Sequence, residues 1–388
     1  MSNPLPISPS SAVPITFLAH RIARVGGMER AAAEVANRLA RHRPVHLVAA
    51  QTEADVPGMR STITPLPSRP AVLRCAAFRQ RARRVMGPAP DDILISIGAA
   101  YWPVDVMIVQ FCHWAFADLP FPVRTGWHNR LASLYFRWEE RAAIRHPRLK
   151  GLIAVSQGVA SEMARYHDYP VERIRIVPNG VDPAVFHPLS AEARAAKKVE
   201  LGFGRDQFVA VFAGGDWSRK GLKHVVEAVA RLPGTGLIVL GNGGREDATF
   251  RRMVMELGLA GSVHFAGHSS RPETFFQTAD VMVFPTIYEA FSLVSLEAVA
   301  CGLPVLMPPV NGAAELIRDG ENGFLCERDG ERIAGLLRQL DGDRDLLRRM
   351  SEAAHRTSQD YSWDRISEKF DVALRELNAS GDLPVRAA

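Results

Sequence analysis

An α/β fold of two similar halves, each a parallel sheet with covering helices, is what the sequence predicts, and three observations carry it. Short apolar runs alternate with longer amphipathic stretches along almost the whole chain, the way buried parallel strands and their helices read in sequence. The alternation runs through two series, parted by a polar, alanine-rich and charged segment at 188–200 that reads as an interdomain linker or a short surface helix. A length of 388 residues, at roughly one to two hundred per domain, gives two or three domains, each able to bury its own core.

The strands expected in the first half are ITFLA (15–19), HLVAA (46–50), DILISIG (92–98), DVMIVQF (105–111), LKGLIAVS (149–156) and IRIVPNG (174–180). Between them, residues 28–41 repeat apolar and small side chains at helical spacing behind a glycine pair, and 156–166 do so behind the capping residue Ser156. FVAVFAG (208–214), TGLIVLG (235–241), SVHFAG (262–267), VMVFP (281–285) and PVLMP (304–308) make the second series. Trp363, Ile366, Phe370 and Leu374 fall on one stripe, so a last amphipathic helix should pack on the body. The expected organisation is a flexible lead-in over 1–14, a first domain over 15–187, a second over 188–361, and a helix and tail over 362–388 that frays from Asn378.

Apolar residues make up 47% and charged residues 23%, with mean hydropathy −0.04, the balance of a soluble globular chain. No run approaches the about eighteen apolar residues of a membrane helix. The opening MSNPLPISPSSAVP has no basic start or long apolar run, so a signal peptide is not expected. Cys75, Cys112, Cys301 and Cys326 lack zinc-site spacings and are too few for a disulfide scaffold, which points to a reducing cytoplasm. The net charge of +5 divides unevenly: residues 1–190 carry +9 and the rest −4. Arg74, Arg79, Arg81, Arg83 and Arg84 crowd the segment 73–84, which suits an anionic partner such as lipid headgroups, an anionic glycan or nucleic acid, or else a solvated helix face. A second mixed surface is 121–150, where Trp127, Tyr135, Phe136 and Trp138 stand among seven cations.

Ligands of doubly wound sheets bind beyond the carboxyl ends of strands, so the loops after strands are where chemistry is sought. TIYEAFSLVSLEAVACGLPVL follows VMVFP and places Glu289 and Glu297 eight positions apart. With a helix starting at Ser292, Glu289 lies in the loop and Glu297 on the helix. Eight helical residues rise about 12 Å, so the two carboxylates reach opposite ends of one elongated ligand. Free amides at the helix start between them can hold a diphosphate. A nucleotide-sugar fits this arrangement, one acid taking ribose hydroxyls and the other sugar hydroxyls; spacing alone also fits a solvated pair.

These residues, with CGLPV, NGAAELIRDGENGFL, AVSQGVASEM (154–163), VPNGVDPAVFHP (177–188), KGLKHVVEAVARL (220–232) and the loop GGMER (26–30), resemble the family 4-like glycosyltransferases of GT-B fold. The resemblance covers most of the chain. It implies two Rossmann-like domains facing a cleft, acceptor bound mainly by the first and donor by the second, retention at the transferred carbon with the leaving phosphate helping to deprotonate the acceptor, and no metal or cofactor beyond the nucleotide-sugar co-substrate. Carried over by position, Glu297 binds the ribose, while Glu289, Ala290 and Phe291 bind the transferred sugar. Ser292 and Leu293 belong to the loop whose amides hold sugar and phosphate. Ser292 stands where the family often has glycine, which puts the choice of sugar in question.

Lys220 in GGDWSRKGL falls on the family's phosphate-binding lysine, and Gly215 replaces its usual arginine. Arg219 is expected to substitute, as in sequences resembling lipopolysaccharide core glucosyltransferases. Two cations against a diphosphate also stabilise charge developing on the leaving nucleotide. Gly26 and Gly27 allow close backbone approach to the diphosphate or sugar, although a tight turn explains them equally. His113 is placed by the resemblance near the transferred sugar, where with Glu289 it is the catalytic candidate; a packed histidine is the alternative. Gly267 and His268 are expected to offer backbone contacts to the base.

Asp341 and Asp343 in DGD imitate a metal pair but sit in a charged helical stretch, and GNGG (241–244) lacks the spacing of a dinucleotide fingerprint. The expected activity is transfer of a hexose, with UDP the favoured nucleotide, to a cell-envelope glycan or glycolipid, lipopolysaccharide core above all, in the cytoplasm or at the inner face of its membrane. A nucleotide-sugar epimerase and a non-catalytic glycan or nucleotide-sugar binder are the alternatives. Nucleic acid is not an expected partner, since no binding module for it is present.

Overall fold

The computed structural model describes residues 13–22, 26–52, 59–66, 71–86, 92–119 and 127–377. Most of the expected lead-in and the tail from Asn378 lie outside the described residues. The chain forms two compact units, one of Met1–Asn179 with Trp363–Ala388 and one of Gly180–Ser362.

The first unit is built on strands β1 (Ile15–Ile22), β2 (Val45–Thr52), β3 (Arg60–Ile63), β4 (Ile93–Ile97), β5 (Val106–Val109), β6 (Gly151–Ala154) and β7 (Ile174–Ile176). They pair in parallel in the order β3-β2-β1-β4-β5-β6-β7. The order reverses between β1 and β4, the switch point at which doubly wound sheets open a crevice. β3 was not among the expected strands, because an edge strand with exposed Arg60 and Ser61 needs no apolar run. The stripe on Trp363–Leu377 folds back onto this unit: Trp363, Ile366, Phe370 and Leu374 are all buried. Phe370 meets Phe17 at 6.2 Å between ring centroids, and Arg38 Nε donates to Asp364 at 2.7 Å. A Cβ on Gly151 would strike Leu377, so glycine there permits the close approach.

In the second unit, β8 (Val209–Ala213), β9 (Gly236–Leu240), β10 (Val263–Gly267), β11 (Val281–Val283), β12 (Val305–Met307) and β13 (Gly323–Leu325) repeat the scheme in the parallel order β10-β9-β8-β11-β12-β13. β13, again at an edge, was missed because Gly323, Phe324 and Leu325 make too short a run to stand out. Residues 188–200 are no free linker. Ser190 accepts a hydrogen bond from Ala193 N–H and caps the helix Ala191–Glu200. The buried Lys198 of that helix donates to Asp280 at 2.7 Å and to the Gln207 carbonyl at 2.8 Å. A buried ammonium without such partners would be strongly unfavourable, which ties the helix to this unit. The unit thus opens at Gly180, ahead of the boundary at 188 read from composition. Among the described residues, no helix is long and apolar enough to cross a membrane.

Candidate active site

The switch point of the second unit lies between β8 and β11, and the expected donor residues follow those two strands. After β8 the chain turns at Gly214, whose φ of +131° suits glycine alone, and enters the short helix Trp217–Lys220. A Cβ at Gly214 would lie 2.5 Å from Lys220 Nζ, so the bare glycine also makes room for the ammonium. After β11, the loop carrying Glu289 leads into the helix Leu293–Ala300. Lys220 Nζ stands 3.6 Å and Arg219 Nη1 4.0 Å from Glu289 Oε1. Arg219 is further fixed by donating to the Tyr288 carbonyl and to Asp216, each at 2.8 Å. Lys220 Nζ also sits 4.9 Å from the Phe284 ring centroid. Arg219, Lys220 and Glu289 therefore converge.

Ser292 is the N-cap of Leu293–Ala300, accepting from Ser295 N–H at 3.2 Å. The first amides of that helix, at Leu293 and Val294, have no intrahelical acceptor and are the ones available to an anion. Glu297 sits one turn further along, with only 3% of its surface exposed. Ala290 and Phe291 are buried beside Gly312, where a Cβ would stand 2.8 Å from the Ala290 carbonyl oxygen and 2.9 Å from the Phe291 ring. Glu289 in the loop and Glu297 on the helix thus stand as the spacing required. Gly267 ends the edge strand β10 and joins this rim through backbone: its carbonyl accepts from Gly241 N–H at 2.7 Å, and Gly241 packs on the Gly214 carbonyl. His268 beside it is exposed. The GNGG segment set aside in the sequence thus supplies Gly241, a close-packed link between strand ends.

Gly26, Gly27 and His113 lie in the first unit. Gly26, with φ +96°, precedes the helix Gly27–Leu39, and a Cβ there would collide with the Glu29 carboxylate. Glu29 and His113 help to line a cavity of about 300 Å³ at the carboxyl ends of β1, β4 and β5, walled by Ile97, Val109, Phe111 and Phe136. The His113 ring stacks on Phe136 at 5.4 Å and meets Phe111 edge-on at 4.9 Å. Burial lowers its pKa, so the imidazole is neutral at pH 7. The histidine is thus both packed and cavity-lining.

Sequence reasoning missed three residues around this cavity. Glu140 accepts the His113 backbone N–H at 3.0 Å and faces His167 Nε2 at 3.2 Å, fixing the turn that carries His113. Glu139 takes Arg79 and Trp102 Nε1–H, the latter at 2.9 Å. His20 has its Nε2 buried without a partner, and burial, with Arg74 next, lowers its pKa to about 4. In sequence these were an ordinary acidic pair in an arginine-rich helix and a lone histidine at a strand end.

Among the described residues, Cys112, Glu140 and His167 form one group with metal-ligand chemistry, their ligand atoms within 4.8 Å of one another. Each already has a structural task. Cys112 Sγ accepts from Ala115 N–H at the start of a helix, and burial pushes its thiol up to about 12. Asp343 in DGD caps the helix Arg344–Ser358, and Asp341 pairs with Arg344 at 2.6 Å.

The family model described as Glycosyl transferases group 1 matches residues 193–357, and that described as Glycosyltransferase Family 4 matches 25–185. The D-inositol 3-phosphate glycosyltransferase of Mycolicibacterium paratuberculosis is 33% identical over 235 residues, 58% of this chain and 52% of that protein. The Mycobacterium bovis (strain BCG / Pasteur 1173P2) counterpart is 33% identical over 243 residues, 59% of this chain and 50% of its own. The chain thus spans about half the length of the curated relatives it matches. Among solved structures, WaaG, a glycosyltransferase involved in lipopolysaccharide biosynthesis, aligns with TM-score 0.77 at 23% identity over 92% of this chain and 98% of its own. The sucrose-phosphate synthase of Thermosynechococcus elongatus gives TM-score 0.79 at 19% identity over 95% and 100%. Anabaena HepE, in complex with UDP and glucose, gives 0.72 at 18% over 94% and 100%. With one glycosyltransferase model on each half and this fold throughout, the chain belongs to the family 4-like glycosyltransferases of GT-B fold.

Proposed function

We propose that the chain is a retaining hexosyltransferase that takes a nucleoside-diphosphate sugar, UDP being the favoured nucleotide, and glycosylates a hydroxyl of a cell-envelope glycan or glycolipid. The observation that carries this reading is the convergence of Arg219 and Lys220 on Glu289 at the switch point of the second unit, one loop before the helix that holds Glu297. Two cations and free helix-start amides suit a diphosphate; Glu289 then lies beside the phosphates, where the sugar would be attached, and Glu297 serves the ribose. In the transfer, the bond from the anomeric carbon to the phosphate oxygen breaks, a bond to the acceptor oxygen forms, and the acceptor proton passes to the leaving diphosphate. Arg219 and Lys220 stabilise the charge that gathers there, so no divalent ion is needed.

The UDP preference is supported by the likeness to a fold relative solved with UDP and glucose. Lipopolysaccharide core as acceptor rests on the likeness to WaaG, whereas the curated relatives are named for D-inositol 3-phosphate, which makes a small phosphorylated cyclitol the second reading. A membrane-facing acceptor is supported by the helices Ala71–Met86 and Trp127–Ile144, which are fastened by Arg79 to Glu139. Leu73, Leu131, Leu134 and Trp138 are each more than half exposed there, among exposed Arg74, Arg81, Arg84 and Arg130. Phe136 stacks on His113 and Tyr135 meets Phe136 edge-on, both half-buried, and the side chain of Trp127 lies outside the described residues.

The test is a panel of UDP- and GDP-sugars offered with truncated lipopolysaccharide or inositol 3-phosphate, read by product mass. Acceptor-dependent gain of one hexose is expected. A rearranged sugar without acceptor points to an epimerase, and donor binding with no product points to a binding protein.

A further inference from the structure

Nothing in the spacing of the sequence connects Arg328 to the donor residues, more than a hundred positions from Arg219, yet its guanidinium lies between the two segments that carry them. Arg328 Nε donates to the Pro285 carbonyl at 2.6 Å, and Nη2 reaches the Ser218 and Arg219 carbonyls at 3.3 Å each. Pro285 lies in the loop after β11 that carries Glu289, and Ser218 and Arg219 lie in the last turn of the helix that presents Lys220. Helix-end carbonyls are acceptors left over by the helix, and a cation there is favoured by its dipole. The same two segments meet through Ile287 N–H to the Arg219 carbonyl at 3.3 Å, and through Gly221, where a Cβ would strike the Pro285 carbonyl oxygen. Partial burial and the neighbouring Arg219 lower the Arg328 pKa, but a guanidinium remains charged at any ordinary pH.

We propose that Arg328 is a positioning residue for the donor site, a strut that fixes the Lys220 helix against the Glu289 loop so that both cations face a diphosphate in register. The inference rests on the nucleotide-sugar reading of the site. It asks for the planar fork of an arginine, because three carbonyls in two directions are bridged by one side chain; a lysine ammonium supplies a point charge without that geometry. The role is separate from ligand contact, since every bond that defines it goes to backbone.

The experiment compares Arg328→Met and Arg328→Lys with the parent chain and with Val229→Ala, a core variant of the same unit that matches a general loss of stability. UDP affinity is read by calorimetry and the Ile287 amide by hydrogen exchange. Arg328→Met is expected to weaken UDP about tenfold and to speed Ile287 exchange by a similar factor, with Arg328→Lys in between and Val229→Ala leaving UDP affinity unchanged. Unaltered Ile287 protection in Arg328→Met overturns the strut whatever UDP does, and so does a loss of UDP affinity no larger than in Val229→Ala. A parent chain that binds no UDP overturns the functional reading instead, and the exchange measurement tells the two failures apart.

Discussion

Glu289 faces the same two cations that a diphosphate would face, and this sets up a competition that can be measured. Replacing it by glutamine keeps size and hydrogen bonding but removes the negative charge 3.6 Å from Lys220 and 4.0 Å from Arg219. One such contact at about 4 Å carries roughly 4 kcal/mol of Coulomb energy at an effective dielectric of 20. Desolvation and side-chain ordering cancel most of that, and measured pairs near a surface retain about 1 kcal/mol. Glu289, Arg219 and Lys220 keep 17%, 16% and 15% of their side-chain surfaces exposed, so a figure at the upper end of that range applies. UDP, which lacks a sugar for Glu289 to hold, must displace this carboxylate or tolerate its repulsion. Glu289→Gln should therefore bind UDP about fivefold more tightly by calorimetry at low salt, with the gain shrinking as salt rises. The same variant should lose turnover with the full donor, because a charged acceptor for the sugar hydroxyls is gone. UDP affinity that stays the same or falls in folded Glu289→Gln would refute the shared-cation geometry.

Three further outcomes follow from the same structure. Transfer should survive excess EDTA, since Arg219 and Lys220 balance the diphosphate; activity that vanishes and returns with Mg²⁺ or Mn²⁺ contradicts that balance. Binding to vesicles should rise with anionic lipid and fall with salt, and Leu131→Asp should weaken it without altering UDP affinity; equal recovery on neutral vesicles counts against the basic face. His20 takes a proton near 6.5 when unfolded but only at about 4 when folded, so below pH 6.5 the unfolded chain holds the extra proton and stability falls, levelling off below about 4. The loss amounts to about 3 kcal/mol. His20→Asn should flatten that part of the urea midpoint against pH, and an unchanged slope removes His20 as its source.

The sequence made the two-unit α/β plan legible because strands buried on both faces must be apolar runs, and the inner strands of both sheets are such runs. β3 escaped because its exposed polar residues make no apolar run, and β13 because Gly323, Phe324 and Leu325 are too few to stand out. The placement of Glu289 in a loop and Glu297 on a capped helix after a strand followed from their spacing, whereas Lys220 was singled out only through the family resemblance. Gly214 and Arg328 were not. Their tasks depend on approach in space, of Lys220 Nζ to a bare Cα in one case and of a distant guanidinium to three carbonyls in the other. Glu139 and Glu140 were hidden for a related reason. On an arginine-rich helix nothing in the sequence sets them apart, whereas the fold buries both against Arg79, Trp102, His167 and the His113 amide.

The central claim, a nucleoside-diphosphate site in the second unit, is tested most directly by titrating UDP into the parent chain, Lys220→Ala and Glu297→Ala by calorimetry. Loss of a hydrogen bond to a charged group costs about 1.5–3 kcal/mol, so each variant should weaken UDP by about tenfold or more, with Lys220→Ala unfolding at nearly the parent temperature. Equal UDP affinity in the parent and both folded variants would contradict the assignment of phosphate to Lys220 and of ribose to Glu297.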